Sequence, residues 1–304
     1  MTGWRCAAPG KVNLSLFVGR PRRDGYHPLV SLVQPLSLAD DVALEPAGGT
    51  VDELVCAGVD GENLAVAALA AYRAATGWDA APQRVTIIKR VPIAAGMGGG
   101  SADAAAVLRL ASAAHGRSHE DPAHRALLAQ VAAGLGADVD ALVDAQRCVM
   151  TGIGVRAADL PDPVPFGVLV VPSERRLATP EVYAEFDRLG LGREPDELDR
   201  LSGAVRGAGQ DQTLLAERLL HNDLETAARS LCPPIGDALA DVRASGAVRA
   251  MVAGSGPTVI GLFPGPDGVT HAEAAAAALR PRHPGAACAA PVGRDFGRPR
   301  PIAP

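Results

Sequence analysis

Aromatic residues are scarce in this sequence: five Phe, two Trp and three Tyr in 304 residues. A core built from it must rest on Ala, Val and Leu, so each aromatic position is informative. Basic charge is not in excess: 29 Lys and Arg stand against 34 Asp and Glu, a net charge of −5. A broad nucleic-acid surface normally needs a basic excess, which disfavours that class. No apolar run reaches the roughly 18–20 residues that span a bilayer. Residues 1–10 hold one Arg and lack the apolar stretch of a signal peptide. The five cysteines (Cys6, Cys56, Cys148, Cys232 and Cys288) are odd in number, scattered and free of CxxC spacing. That argues against a disulfide framework or a zinc site and for small buried thiols in a reducing compartment. These absences lead to the expectation of a cytoplasmic protein with no membrane or nucleic-acid partner.

What is present suits a folded chain. Apolar residues make up 48% and charged residues of both signs 21%, enough for a core and against general disorder. The length fits one large domain or two ordinary ones. Periodicity predicts strands at 12–18, 29–38, 42–45, 84–91, 147–150, 167–171, 249–253, 258–263 and within 285–292. It predicts helices at 62–75, 104–114, 122–133, 139–145, 180–188, 197–206, 213–220, 224–231, 235–244 and 272–279. Ser101 or Asp103 is placed to cap the helix at 104. The proline-rich stretch 160–165 is the best boundary, and the Arg- and Pro-rich tail from Gly293 is expected to be loose. Strands and helices that do not strictly alternate imply an α+β architecture in two halves.

The most informative stretch is Gly96-Met-Gly-Gly-Gly-Ser101, between a predicted strand and a predicted helix. Glycines allow positive φ and close backbone approach. A helix start presents unpaired N–H groups and the positive end of its dipole, which together suit phosphate. The plainer alternative is a flexible loop or tight helix–strand packing. The Walker pattern does not fit. The one Gly-Lys pair, Gly10-Lys11, is followed by Val12, and Arg5 stands where the first Gly belongs. The protein-kinase set, with an HRD catalytic loop and a DFG, is absent as a set. Gly152-Ile-Gly154-Val-Arg-Ala157 fits a dinucleotide fingerprint, but Pro161 and Pro163 follow too soon for its helix, so it is read as a turn. His119-Glu120 and His124 are spaced HExxxH with Pro122 between, and are read as a solvated loop.

Three segments in order resemble the GHMP kinase superfamily: Ala8-Pro-Gly-Lys11-Val-Asn13-Leu, Val91-Pro-Ile-Ala-Ala-Gly-Met-Gly-Gly-Gly-Ser101-Ala-Asp103-Ala, and Val252-Ala-Gly-Ser-Gly256-Pro-Thr258. Arg23-Asp-Gly-Tyr26-His27, Leu135-Gly-Ala-Asp138-Val and Thr179-Pro-Glu-Val-Tyr183 resemble one branch of it, over roughly residues 5–290. The resemblance implies a two-domain α+β fold, its N-terminal half like domain 2 of ribosomal protein S5. The halves would be 1–160 and 161–292, with a disordered tail at 293–304 and the active site in the cleft between domains. It also implies ATP-dependent phosphorylation of the 2-hydroxyl of a cytidine-diphosphate-linked methylerythritol, in the non-mevalonate isoprenoid pathway.

The site residues follow from the same resemblance. Asp138 matches the catalytic aspartate, a carboxylate that can take or orient the acceptor proton; the alternative is a helix N-cap. Lys11 would steady that anion and offset charge near the γ-phosphate. Asn13, on the same strand face as Lys11, would meet substrate or Asp138. Pro92, Gly96, Met97, Gly98, Gly99, Gly100, Ser101 and Ala102 would hold the ATP phosphates, with Ser101 also towards Mg²⁺, which bridges phosphates in such reactions. Tyr26, His27 and Tyr183 would form a cytosine site, an aromatic face being what a base stacks on; for Tyr183 a core-packing role is the alternative. Thr179, Gly254 and Gly256 complete the substrate side. Asp103 is the weaker candidate, because capping explains it. The basic turn of Arg20, Arg22 and Arg23 is read as solvated.

One departure stands out: Asp138-Val139 continues as Asp140-Ala141, where the family has Pro after Val. Asp140 would raise the pKa of Asp138, disfavour phosphate, or point to solvent. The same-class alternative is a homoserine- or mevalonate-type kinase, against which the Gly-Tyr-His motif and Tyr183 argue. The other is a catalytically weak ligand-binding homologue, against which Lys11, Asp138 and the intact loop argue. A monomer or weak homodimer is expected.

Overall fold

A pair of long antiparallel strands organises the first half. In the computed structural model, which describes residues 3–58, 63–210 and 217–303, β1 (Trp4–Val18) pairs with β2 (Leu29–Pro46). The two strands predicted at 29–38 and 42–45 are one. Asp40 stays in the ladder because it is buried and accepts the backbone N–H groups of Arg90 and Val91. Bulges between Pro9 and Lys11 and between Asn13 and Ser15 bend β1 where its polar side chains sit; bulges commonly re-aim side chains in this way.

β3 (Glu53–Cys56), α1 (Leu64–Thr76) and β4 (Gln83–Ile88) follow. Asn63 caps α1, its Oδ1 accepting from Ala65 N at 2.9 Å, and Gly77 ends it at φ 66°. α2 (Gly99–Ala114) starts five residues before the predicted position. Its N-cap is Gly98 and no side chain caps it, so neither Ser101 nor Asp103 has the capping role expected of it. α3 (Pro122–Leu135) is capped by Asp121, with Pro122 pre-set for the first turn. α4 (Ala137–Leu142) leads to β5 (Cys148–Gly152) and β6 (Val155–Asp159). The strand β6 was not predicted; the dinucleotide-like glycines form the hairpin turn before it, with Gly152 and Gly154 at positive φ.

The second half runs β7 (Phe166–Val171), α5 (Thr179–Arg188), α6 (Pro195–Gln210), β8 (His221–Asn222), α7 (Glu225–Leu231), α8 (Ile235–Ala244), β9 (Arg249–Val252), β10 (Val259–Pro264), α9 (Gly268–Leu279), β11 (Ala287–Ala289) and β12 (Arg300–Pro301). Of the helix predicted at 213–220, residues 213–216 lie outside the described residues, and Glu217–Leu219 form a single 3₁₀ turn.

The first sheet has the order β12-β1-β2-β4-β3, with β5 and β6 continuing from β2 and β8 beside β1. The second is β11-β7-β10-β9. The tail expected to be loose carries regular structure within its described residues 293–303. A 3₁₀ turn at Arg294–Gly297 precedes β12, which pairs with Trp4 and Arg5 of β1. Its composition hides this because it has no periodicity, yet it covers an edge whose N–H and C=O groups would otherwise stand open. The tripeptide Asp295-Phe-Gly297 sits in that turn, with Gly297 against Ala145 and Arg109.

Three large apolar clusters, and a small fourth of Val33, Ala141, Cys148 and Met150, fill the described residues. Alanines of α2 pack with α1, α3 and one face of the first sheet. Val12, Leu14, Leu32, Leu36, Val168, Ile260 and Leu262 form a second cluster that joins the two sheets. The third packs β7, β9 and β10 against α5, α7, α8 and α9. Deleting one such leucine side chain typically costs about 2–5 kcal/mol. The cores are aliphatic, as the composition requires, although Tyr72, Phe17, Phe166 and Phe186 are fully buried.

Candidate active site

A cleft of about 530 Å³ opens where β1, the glycine loop, α4, α5 and the loop after β9 converge. On β1, Lys11 Nζ donates to Asn13 Oδ1 at 2.8 Å, Asn13 Nδ2 to Ser31 Oγ at 2.7 Å, and Ser31 Oγ to the Ser15 carbonyl at 2.7 Å. The chain fixes the Lys11 side chain, which is only 5% exposed. From the first turn of α4, Asp138 brings Oδ2 to 3.4 Å from Lys11 Nζ, and it remains 42% exposed to the cleft.

The glycine loop lies over this pair. Gly98, at φ 66°, is the turn into α2, and a Cβ there would lie 3.1 Å from Lys11 Cε and 3.6 Å from Asp138 Oδ2. Lys11 N donates to the Met97 carbonyl at 2.9 Å, anchoring the loop to β1. The first-turn N–H groups of α2 have no acceptor within the helix and open on the cleft beside Gly99, Gly100 and Ser101. Gly96, at φ 74°, touches the other half of the chain: a Cβ on it would meet the Ala253 carbonyl at 2.0 Å. Only a glycine fits at that contact. Asn222 holds the partner loop, Nδ2 donating to the carbonyls of Val252 and Gly254 at 2.8 and 2.7 Å. Thr179 and Ser255 hydroxyls are 2.9 Å apart across it.

Tyr183 lines the cleft from α5. Burial, and then the charge of Asp138, push its phenol pKa up to about 12, so it is a neutral ring facing the carboxylate. His27 packs on it, ring centroids 4.9 Å apart, with Nε2 2.8 Å from Asp187 Oδ1.

Of the residues expected at the site, Lys11, Asn13, Pro92, Gly96, Gly98, Gly99, Gly100, Ser101, Asp138, Thr179, Tyr183 and Gly254 line the cleft. Five do not. Met97 and Ala102 turn their side chains into the core. Gly256 lies behind the loop, against Val252. His27 stands behind Tyr183. Tyr26 is 63% exposed on the basic turn, held there by Arg22 N donating to its carbonyl and by its own N–H donating to Asp24. Asp140 meets none of the three alternatives fully. It is buried away from the cleft, Oδ2 accepting Arg156 N at 3.3 Å, and burial raises its pKa. The histidines read as solvated are paired: His119 with Asp144 at 2.7 Å, and buried His124 with Ser112 at 2.6 Å.

Sequence reasoning missed Lys89, Asp40 and Ser255. A signal for the first existed: of 29 Lys and Arg only Lys11 and Lys89 are lysines, and both line the cleft. Lys89 Nζ lies 2.5 Å from Asp40 Oδ2 and 2.7 Å from Asp103 Oδ2. Burial raises the Asp103 pKa to about 7, against the pull of Lys89. Burial lowers that of Lys89, but the two carboxylates outweigh it and raise it overall.

Family models of the GHMP kinases match at residues 63–152 for the N-terminal domain and 200–282 for the C-terminal domain. The 4-diphosphocytidyl-2-C-methyl-D-erythritol kinase of Leifsonia xyli subsp. xyli is 39% identical over 291 residues, covering 90% of this chain and 92% of the relative. A crystal structure of 4-(cytidine 5'-diphospho)-2C-methyl-D-erythritol kinase superposes with a TM-score of 0.72 at 32% identity, covering 98% and 97% of the two chains. Homoserine kinase from Cytophaga hutchinsonii reaches the same TM-score of 0.72 over 99% of this chain and 98% of its own, but at 15% identity, which speaks for the fold alone. No helix among the described residues is long and apolar enough to cross a membrane. The chain belongs to the GHMP kinases, which are ATP-dependent phosphotransferases, and within them to the 4-diphosphocytidyl-2-C-methyl-D-erythritol kinase family.

Proposed function

We propose that this cleft transfers the γ-phosphoryl group of ATP to the 2-hydroxyl of 4-diphosphocytidyl-2-C-methyl-D-erythritol. The observation that carries the reading is the Lys11–Asp138 pair lying directly beneath Gly98 of the loop. Phosphoryl transfer asks the protein mainly for positioning and for fixed charge. The α2 N-terminus and the loop N–H groups face the phosphates. Asp138 accepts or orients the proton of the acceptor hydroxyl. Lys11, kept in place by Asn13, offsets negative charge between the carboxylate and the transferred group.

The cytidine side falls to Tyr183, with His27 behind it. Tyr26 joins them only if its exposed turn folds towards the cleft. Mg²⁺ supplies charge neutralisation on the phosphates in such reactions. Among the described residues no three His, Cys, Asp or Glu side chains form a metal cage. Ser101, which lines the cleft at the start of α2, would face an ion bound with the nucleotide. The halves 1–160 and 161–292 serve as the two walls, with Lys11, the glycine loop and Asp138 on one and Thr179, Tyr183 and Gly254 on the other.

The test is Asp138→Asn in a coupled ADP-release assay with the cytidyl substrate. General-base magnitudes predict a fall in kcat of at least about a hundredfold. A near-normal kcat would remove Asp138 from the chemistry and with it the reading.

A further inference from the structure

Beside the glycine loop lies a buried ionic cluster that the proposed chemistry leaves without a role. Its members are Asp40 from β2, Lys89 just past the end of β4, and Asp103 in α2. Asp40 and Asp103 are 0% and 2% exposed. Lys89 Nζ donates to both, at 2.5 and 2.7 Å. Asp40 Oδ1 also accepts the N–H groups of Arg90 and Val91. The cluster therefore ties the residues that enter the loop to the helix that leaves it. Lys89 and Asp103 bracket the whole segment 90–102. The loop backbone rests on this tie: a Cβ on Gly99 would lie 3.4 Å from Lys89 Nζ and 3.2 Å from Val91 Cγ1.

Two carboxylates around one ammonium are an expensive way to stabilise a fold. Desolvation opposes the attraction of such buried groups, and Asp103 Oδ1 is left buried with no hydrogen-bond partner. Fixing one geometry is the better-attested use of such groups. Here the geometry fixed is the mouth of the loop.

We propose that Asp40, Lys89 and Asp103 are positioning residues, a clasp that holds both ends of the loop and so aims its N–H groups at the phosphates of ATP. The proposal rests on the reading of the loop as the ATP-phosphate site. The two lysines thereby differ in role, Lys11 serving the reacting groups and Lys89 the shape of the cradle. Lys89 also faces the cleft, so a direct contact with nucleotide must be distinguished from the clasp. Asp103→Asn does this, since it keeps size and leaves Lys89 in place.

Full-length wild type, Asp103→Asn, Lys89→Met and the double variant are compared. The readouts are the ATP dissociation constant by calorimetry, KM for the cytidyl substrate, and amide exchange over 92–99 without nucleotide. Each single substitution is expected to weaken ATP binding by about tenfold or more, leaving KM for the cytidyl substrate within about twofold. The double variant is expected to be within about twofold of Lys89→Met, as for residues acting through one contact. Loop exchange is expected to be faster in all three. Additive losses in the double variant, or unchanged ATP binding with unchanged exchange in Asp103→Asn, would overturn the clasp. Lys89→Arg, which keeps both carboxylates paired, covers the case in which Asp103→Asn does not fold. It is expected to retain loop protection and ATP affinity within about threefold, and a loss as large as in Lys89→Met would also overturn the clasp. Wild-type protein that binds no ATP would instead contradict the reading of the loop itself.

Discussion

Lys11 is almost wholly buried, and a buried ammonium is tolerated only where partners replace water. Its ammonium donates to Asn13 and lies 3.4 Å from the Asp138 carboxylate; of its three N–H groups, at least one remains for a substrate oxygen. Tyr183 lines the same cleft as a neutral aromatic ring, the group on which the proposed reading stacks the base. Stacking on one aromatic is worth roughly 1–3 kcal/mol per base. Tyr183→Ala is therefore expected to raise KM for the cytidyl substrate about tenfold while KM for ATP stays unchanged; equal KM values would return Tyr183 to a packing role. Lys11, Asn13 and Asp138 were legible in the sequence because their motifs are short and local. Lys89 was not, because its partners lie 49 and 14 residues away. Tyr26 and Tyr183, both expected at the cytosine site, stand apart: Tyr183 lines the cleft and Tyr26 is held on an exposed turn.

α4 carries Asp138 and has only six residues, too few to be stable alone. It is held in position by Asp144, two residues beyond its end. Asp144 bonds His119 at 2.7 Å, Arg125 of α3 at 2.8 Å and Arg156 of β6 at 3.0 Å. Burial alone would raise the Asp144 pKa, but His119, Arg125 and Arg156 outweigh it and hold the carboxyl far below its ordinary range. A carboxyl lowered in this way stabilises the fold above its unfolded value near 4 and ceases to do so as pH falls through the folded value. Asp144→Asn is thus expected to cost about 3–5 kcal/mol at neutral pH, the usual effect of breaking a buried pair. Denaturant unfolding should show that gap constant from pH 7 to 5 and shrinking below about pH 4. A gap that widens in acid would contradict the assignment. At this scale the sequence indicated most helices. It misplaced the start of α2, because glycines are poor helix formers by propensity and here the helix begins inside the glycine run.

The two halves interleave. β8 and β12 come from the second half of the chain yet join the first sheet, and one apolar cluster spans both sheets. Gly96 and the loop at Ala253 and Gly254 meet backbone to backbone across this seam, which brings the loop and the α5 wall into one cleft. The α+β class was visible in the sequence. The returning strands were not, since two-residue strands carry no periodicity and an Arg- and Pro-rich tail looks like a loose end. At the scale of the whole molecule the cleft must choose its substrate, and the fold does not decide this, because a homoserine kinase shares it. The decisive measurement is ADP release by the wild-type chain with the cytidyl substrate, homoserine and mevalonate in parallel. The product of the first is then located by ³¹P NMR. Turnover on the cytidyl substrate with the new phosphate on its 2-hydroxyl, and little on the others, is expected. Turnover on homoserine or mevalonate without turnover on the cytidyl substrate, or turnover on none, would contradict the proposed function.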